Sequence, residues 1–180
     1  MFTPLQVTTA MCAIANGGQL MMPQIVHKIV DDDGNTVAEF PPQEVRRVAA
    51  RAATEDVRSM LMDVVSKKGT AAGAAVPGYS VAGKTGTAQK VGSDGHYSHE
   101  RYIVSFLGYM PAENPAFVGL VMIDEATQVK HGENYGGLVA APVFAKIGAK
   151  AARYLHLPPT LPVVPATITA SLTPAQFNDQ

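Results

Sequence analysis

The stretch "GYSVAGKTGTAQK", residues 78–90, restricts the fold more than any other part of the sequence. After Lys84 the chain is rich in β-branched residues and is interrupted by Gly86 and Gly92, a composition that opposes helix nucleation. We therefore expect a strand from Tyr79 to Val91. Any function that needs a helix directly after Lys84 is disfavoured.

Two sequence motifs overlap at Lys84, the tripeptide K-T-G of residues 84–86 and a nucleotide-binding pattern. The nucleotide-binding pattern G-x-x-x-x-G-K-[ST] is matched by Gly78, Gly83, Lys84 and Thr85. In addition, Asp124 lies at the end of an apolar strand, where nucleotide-binding proteins carry an acid that binds Mg²⁺. A phosphate loop, however, lies between a strand and a helix whose first amides hold the phosphates. The preceding "AAGAAVP" is a poor strand, so a P-loop nucleotide-binding domain is only a remote alternative.

The remaining pattern alternates helices with short strands. A T-x-x-Q capping box, formed by Thr3 and Gln6, marks the start of a first helix. Thr54 is the expected N-cap of a second helix, whose apolar stripe includes Met60. The short link "PAENP" makes the last two strands antiparallel neighbours. We predict helices over 3–16, 54–69 and 140–155, a hairpin over 23–40 turning at 33–35, and strands over 79–91, 102–110 and 117–124.

This order of elements predicts an α+β fold in which a three-stranded antiparallel meander is flanked by helices. Residues 1–156 are expected to form one domain, since 47% of the chain is apolar and 16% charged. Residues 157–180 are rich in Pro and Thr, and we expect an extended or disordered tail there.

Charge and cysteine content exclude several function classes. The net charge of −1 leaves no basic stripe for nucleic acid. Cys12 is the single cysteine, so no disulfide forms within the chain, and a buried, inert thiol is expected. No apolar run is long enough for a membrane span, and the N-terminus lacks the basic start of a signal peptide.

The residues around Lys84 suit acyl transfer. On a strand Thr85 and Thr87 share one face, where two hydroxyls would grip a substrate carboxylate. Gly86 would let a substrate backbone approach closely. Lys84 would favour that carboxylate and ease proton movement at a serine, and the Thr87 N–H would serve as an oxyanion donor.

Five ordered blocks strengthen this interpretation: "TPLQVTTAMCAIANGG", "GQLMMPQIV", "VAGKTGTAQK", "YIVSFLGYMPAENPAFVGLVMID" and "NYGGLVAAPVF". Together they cover most of residues 3–155. The sequence resembles the C-terminal part of the transpeptidase domain of class B penicillin-binding proteins, of the division or elongation type. The resemblance implies a partial β-lactamase/transpeptidase-like fold and a serine D,D-transpeptidase that cross-links peptidoglycan stem peptides and is acylated by β-lactams.

The resemblance also assigns roles to individual residues. Lys84 is similar to the lysine of the family's third motif, and Thr85 and Thr87 to its carboxylate binders, with the Thr87 N–H as second oxyanion donor. Tyr135 and Gly136, followed by another glycine, match a loop that lines the cleft, although a core-covering role for Tyr135 is equally open. No cofactor or metal is implied, and the partners are the stem peptide, β-lactams and the remainder of the domain.

Two motifs of the family are missing from this sequence. The S-x-x-K motif does not occur, because no serine has a lysine three residues after it; Ser66, for example, has Gly69 at that position. The S-x-N motif does not occur either. We therefore expect this chain to lack the nucleophile and to be inactive alone, as a piece that begins after both motifs. A binding or structural remnant of the fold is the alternative. The resemblance places the parent protein in the bacterial cytoplasmic membrane, with this domain in the periplasm or extracytoplasmic space.

Two further expectations concern the sheet and its loops. The third strand, 117–124, would expose an apolar edge in this piece, which predicts self-association. His96, His99 and Glu100 fall in a Gly-containing segment that we interpret as a solvated loop rather than a metal site.

Overall fold

The computed structural model describes residues 2–92, 94–126 and 135–162. The helices are α1 (Pro4–Ala15), α2 (Arg51–Val65) and α3 (Gly136–Tyr154), with a 3₁₀ turn at Ala72–Ala74. The strands are β1 (Gln19–Met21), β2 (Lys28–Val30), β3 (Thr36–Glu39), β4 (Glu44–Arg47), β5 (Ala82–Val91), β6 (Tyr97–Met110) and β7 (Phe117–Asp124). This mixture of helices and antiparallel strands confirms the predicted α+β class.

The main sheet has three strands in the order β5-β6-β7, and both pairings are antiparallel. The predicted meander is therefore confirmed. The tight link after β6 closes with a hydrogen bond from the Ala116 amide to the Met110 carbonyl, 3.0 Å. Because successive strands are joined by short links, this sheet forms without a crossover helix.

Helices cover both faces of this sheet. On one face Phe106 and Met110 pack with Phe144 of α3, and the Phe106 and Phe144 rings meet edge to face with centroids 4.9 Å apart. On the other face Leu107 and Tyr109 pack beneath α1 and α2. The alternation of side chains along β6 thus divides the core into two layers.

Two small strand pairs lie between α1 and α2. β2 and β3 form the predicted hairpin, in which Gly34 turns with φ +85°. The Asp31 carboxylate accepts hydrogen bonds from the Asn35 side chain and from the amides of Asn35 and Asp33, and these bonds, that of the Asn35 side chain first, lower the pKa of Asp31. The pairing of β1 with β4 was not predicted from the sequence.

The first helix begins as the sequence predicts. The Thr3 hydroxyl accepts the Gln6 amide at 3.2 Å, and the Gln6 side chain accepts the Thr3 amide at 2.9 Å. These reciprocal bonds satisfy two amides that the helix leaves without partners, which confirms the capping box.

The start of α2 differs from the prediction. The helix begins at Arg51 with Ala50 as N-cap, so the assignment of Thr54 as cap was wrong. Thr54 is buried inside the helix, where its hydroxyl donates to the Arg51 carbonyl at 2.7 Å, a bond that satisfies threonine within a helix. The helix ends at Val65 rather than Gly69, and Met60 of the predicted apolar stripe is exposed.

Strand β6 is longer than predicted. It starts at Tyr97, which pairs with Val91, so residues 97–100 belong to a strand and the predicted loop is wrong there. Pairing with β5 overrides the polar local composition. β5 in turn begins at Ala82 rather than Tyr79, and α3 begins at Gly136 rather than residue 140.

Candidate functional site

The K-T-G-T segment, residues 84–87, lies on β5, which pairs only with β6 in the part of the chain that the structure describes. Thr85 lies opposite Phe106 and Thr87 opposite Val104, so the two threonines share one face of the strand. Lys84 and Gly86 are on the other face. The outer side of β5 therefore presents backbone groups and threonine side chains along an open edge.

The structure contradicts the nucleotide-binding alternative. β5 continues as a strand through Val91, so no helix N-terminus follows Lys84. The acids at the end of β7 are engaged as well, since the Lys90 ammonium contacts Asp124 at 2.9 Å and Glu125 at 2.7 Å. Hydrogen bonds to Glu125 and then Asp124 raise the pKa of Lys90.

The first turn of α3 rests directly on the K-T-G-T segment. A Cβ built at Gly136 would lie 2.1 Å from the Ser105 carbonyl oxygen and 2.8 Å from that of Gly86. Only glycine permits this approach. Tyr135, the N-cap of α3, is thereby placed beside β5 with its side chain 58% exposed. The structure thus places Gly136 against Gly86 of the K-T-G-T segment, and Tyr135 directly precedes Gly136 in the chain.

The Lys84 ammonium is available to a ligand. Its contacts are with the Thr85 carbonyl at 3.2 Å and the Thr85 hydroxyl at 3.4 Å. Within residues 2–92, 94–126 and 135–162, no carboxylate lies within ion-pair distance of it. The positive end of α3 adjoins the same strand, so the local field favours an anion.

Ser105 is a member of this site that sequence reasoning missed. It lies opposite Gly86, and a Cβ on Gly86 would come 2.4 Å from the Ser105 hydroxyl oxygen. Its carbonyl is the atom on which Gly136 rests. Only the register between β5 and β6 reveals this position, since nothing in the local sequence distinguishes Ser105.

The described residues contain neither a metal-site cluster nor a candidate membrane span. No group of three His, Cys, Asp or Glu side chains there is arranged to hold a metal ion. None of the helices in those residues has the length and apolarity that a membrane crossing requires. Cys12 is half-buried, and burial raises the pKa of its thiol, which disfavours the reactive thiolate.

Comparisons with known proteins find related sequences. The family model described as "Penicillin binding protein transpeptidase domain" matches residues 1–149. Stage V sporulation protein D of Bacillus subtilis is 40% identical over 146 residues, which are 81% of this chain and 22% of that protein. Penicillin-binding protein PbpB of Mycobacterium tuberculosis is 38% identical over 152 residues, and the match covers 81% of this chain and 22% of that protein. The chain thus spans about a quarter of the length of such relatives.

Solved structures show the same likeness. The apo transpeptidase domain of Burkholderia pseudomallei penicillin-binding protein 3 is 40% identical with a TM-score of 0.72, covering 87% of this chain and 44% of that one. Penicillin-binding protein 3 of M. tuberculosis in complex with aztreonam is 35% identical with a TM-score of 0.75, and the match covers 91% of this chain and 37% of that one.

Proposed function

Because this chain belongs to the family of penicillin-binding protein transpeptidase domains, we propose that it is the substrate-holding portion of a peptidoglycan D,D-transpeptidase. In the complete domain it would hold a stem peptide beside a serine nucleophile that its own 180 residues do not supply, because S-x-x-K does not occur among them. The chain alone would therefore form no acyl-enzyme.

One observation carries the proposal: the open edge of β5 combines two threonines on one face with an unpaired lysine and the first turn of α3. A stem peptide ends in a carboxylate and carries the carbonyl that is attacked. The Thr85 and Thr87 hydroxyls would bind the carboxylate, while Gly86 leaves room for the peptide backbone. Tyr135 and Gly136 would line the far side of the same cleft.

The remaining groups would act on the reacting atoms. Lys84 would hydrogen-bond within the catalytic cluster and assist proton transfer from the serine hydroxyl. Its positive charge would also favour the bound carboxylate. The Thr87 amide would donate to the oxygen that becomes negative as the carbonyl is attacked. A β-lactam would occupy the same positions and acylate the same serine, in keeping with the relative whose structure contains aztreonam.

The place of the reaction follows from its substrate. Peptidoglycan cross-linking occurs outside the bacterial cytoplasmic membrane, so we assign the parent protein to that membrane and this portion to its outer side. The remainder of the transpeptidase domain is then the principal partner.

A chimera tests the proposal. This chain replaces the matching segment of the B. pseudomallei transpeptidase domain, which supplies the remaining part of the fold. Fluorescent penicillin should label the chimera at the relative's serine and should leave the isolated chain unlabelled. Lys84→Ala and Thr87→Pro, which removes the amide donor, should each slow acylation by about a hundredfold or more.

Lys90→Gln is the matched control on the same strand, since Lys90 is bound to Asp124 and Glu125 at the far end of β5. Thermal melting identifies variants that have lost the fold, and only those that retain it are compared. Covalent labelling of the isolated chain at a defined serine would refute its inactivity. A Lys84→Ala chimera that acylates at the parent rate would refute the assigned role of Lys84.

A further inference from the structure

The face of β5 opposite to Thr85 and Thr87 has a small recess at Gly86. A Cβ built on Gly86 would lie 2.4 Å from the Ser105 hydroxyl oxygen and 3.8 Å from the Ser105 Cβ. Apart from the chain neighbours of Gly86, no other atom of the described residues comes within 4 Å of that position. The polar group that lines the recess from the neighbouring strand is therefore the Ser105 hydroxyl.

Gly83, on the same strand, is a glycine of a different kind. It is buried, and its built Cβ would lie 2.4 Å from the Phe106 ring and 2.8 Å from the Leu107 carbonyl oxygen, so close packing excludes a side chain there. Gly86 is half-buried and meets only the Ser105 side chain. The φ of Gly86 lies outside the left-handed region, so backbone conformation does not require glycine either. The absent side chain at this position leaves room beside the Ser105 hydroxyl.

The Ser105 hydroxyl is accessible to a ligand. It makes no hydrogen bond with any residue in the described ranges, where the one buried side-chain oxygen or nitrogen without a partner is the Tyr109 hydroxyl. Because Ser105 is half-buried and its unpaired oxygen does not belong to that buried class, solvent reaches this oxygen. A serine hydroxyl can donate one hydrogen bond and accept two.

The strand register places this hydroxyl within the candidate site. Ser105 lies opposite Gly86, and Lys84 lies opposite Leu107, so Lys84, Gly86 and Ser105 share one face of the sheet. Thr87, whose amide is the proposed oxyanion donor, follows Gly86 directly in the chain. A peptide that runs along the open edge of β5 and packs on the Gly86 Cα from this face meets the Ser105 oxygen, because the recess holds no other side chain of β6.

On the basis of the proposed function, we propose that Ser105 is a further substrate-binding residue, whose hydroxyl forms a hydrogen bond with the backbone of the stem peptide where it crosses Gly86. A peptide unit suits this position because its N–H and its C=O can each pair with a hydroxyl. An apolar group there would remove water from the hydroxyl without replacing the hydrogen bond, which is unfavourable. The site thus selects peptide-like ligands, and the amide groups of a penicillin meet the same requirement.

Acylation of the chimera with the B. pseudomallei transpeptidase domain tests this assignment. The rate is measured against the concentration of fluorescent penicillin, which separates the dissociation constant of the non-covalent complex from the rate constant of acylation. Ser105→Ala should raise the dissociation constant about fivefold or more, because a hydrogen bond to the ligand is lost, and should change the rate constant by less than about twofold. Ser105→Thr, which keeps a hydroxyl and suits a strand, should bind like the parent. If Ser105→Ala does not fold, Ser105→Cys takes its place, since a thiol is a weak hydrogen-bond partner.

A double variant tests whether the hydroxyl acts through the recess. Gly86→Ala fills the recess with a methyl group and should itself weaken binding. Adding Ser105→Ala removes the oxygen that this methyl meets and leaves the two Cβ atoms 3.8 Å apart, an ordinary contact. Since the filled recess already separates the hydroxyl from the ligand, the double variant should bind no more weakly than Gly86→Ala alone. Effects that multiply would show that Ser105 acts elsewhere and would overturn the proposal.

Ser66→Ala is the matched control. The Ser66 hydroxyl donates to the Asp63 carbonyl at the end of α2, 2.7 Å, and its loss should leave the dissociation constant unchanged. Thermal melting confirms that each variant compared is folded. A parent chimera that penicillin does not label would refute the proposed function and this inference with it. A labelled chimera in which Ser105→Ala binds like the parent, or in which Ser105→Thr binds as weakly as Ser105→Ala, would overturn this inference alone.

Discussion

At the scale of single residues, Gly136 determines how closely α3 approaches the candidate site. We expect Gly136→Ala to lower the free energy of unfolding by about 1–3 kcal/mol, as overpacking does. The reason is that the new methyl would lie 2.1 Å from the Ser105 carbonyl, a backbone atom that cannot turn aside. Urea unfolding with linear extrapolation measures the difference.

Gly148→Ala is the control in the same helix. Its methyl would meet the Met110 sulfur at 2.7 Å, and a methionine side chain can move where a backbone carbonyl cannot. We expect a smaller loss, because alanine also favours the helix. Equal losses at both positions would show that the close approach of Gly136 to β5 does not limit the fold.

The same residues show what a sequence can reveal about this site. Alternation along a strand is enough to place Thr85 and Thr87 on one face, and the structure agrees. The contact of Gly136 with Ser105 depends on how a distant helix docks on the sheet. No local pattern encodes that docking, so Ser105 was missed and the start of α3 was placed four residues too late.

At the scale of elements, residues 157–162 form a strap across the chain that leads into β5. The Thr160 and Leu161 amides donate to the Gly78 carbonyl at 2.9 and 3.0 Å, and the Tyr79 hydroxyl donates to the Leu157 carbonyl at 2.7 Å. These residues belong to the predicted Pro- and Thr-rich tail, of which 163–180 lie outside the described part. The strap lies beyond the 1–149 segment that matches the family.

We expect Thr160→Val to loosen the start of β5. The Ser80 amide donates to the Thr160 hydroxyl at 3.2 Å, and Ser80 is buried, so the substitution leaves an amide unsatisfied at a loss of about 1 kcal/mol or more. Hydrogen exchange should accelerate at Ser80 and the residues that follow it. The measurement is native-state exchange followed by mass spectrometry or NMR.

Thr9→Val is the matched control for the strap. Its hydroxyl donates to the Leu5 carbonyl within α1, far along the chain from Ser80. Exchange at Ser80 should not change in this variant. If the Ser80 amide exchanged as slowly in Thr160→Val as in the parent, residues 157–162 would have no part in holding the start of β5.

Element boundaries show why the prediction was incomplete at this scale. The capping box of α1 and the span of β7 follow from local chemistry and were correct. β6 was placed five residues too short because its first residues are polar and become a strand only by pairing with β5. Thr54 was assigned to a cap because its side chain suits one, whereas in the helix it bonds the Arg51 carbonyl instead.

At the scale of the whole molecule, the main sheet is covered on its faces and open at its sides. β7 pairs with β6 alone within the described residues, and α1 and α3 pack against its faces. Its residues are only half-buried, and Met122 is 47% exposed. An edge strand of eight residues with few charges offers backbone groups and apolar side chains to a second chain.

We therefore expect the isolated chain to self-associate through β7, in proportion to its concentration. Met122→Lys should shift it towards the monomer, because a lysine on an edge strand must be desolvated when two edges pair. Met60→Lys, at an exposed position on α2, is the matched control and should leave the degree of association unchanged. Light scattering across a dilution series measures the mass of the parent and of both variants. A parent that is monomeric at all concentrations would exclude the interface, and equal effects of the two lysines would place it elsewhere.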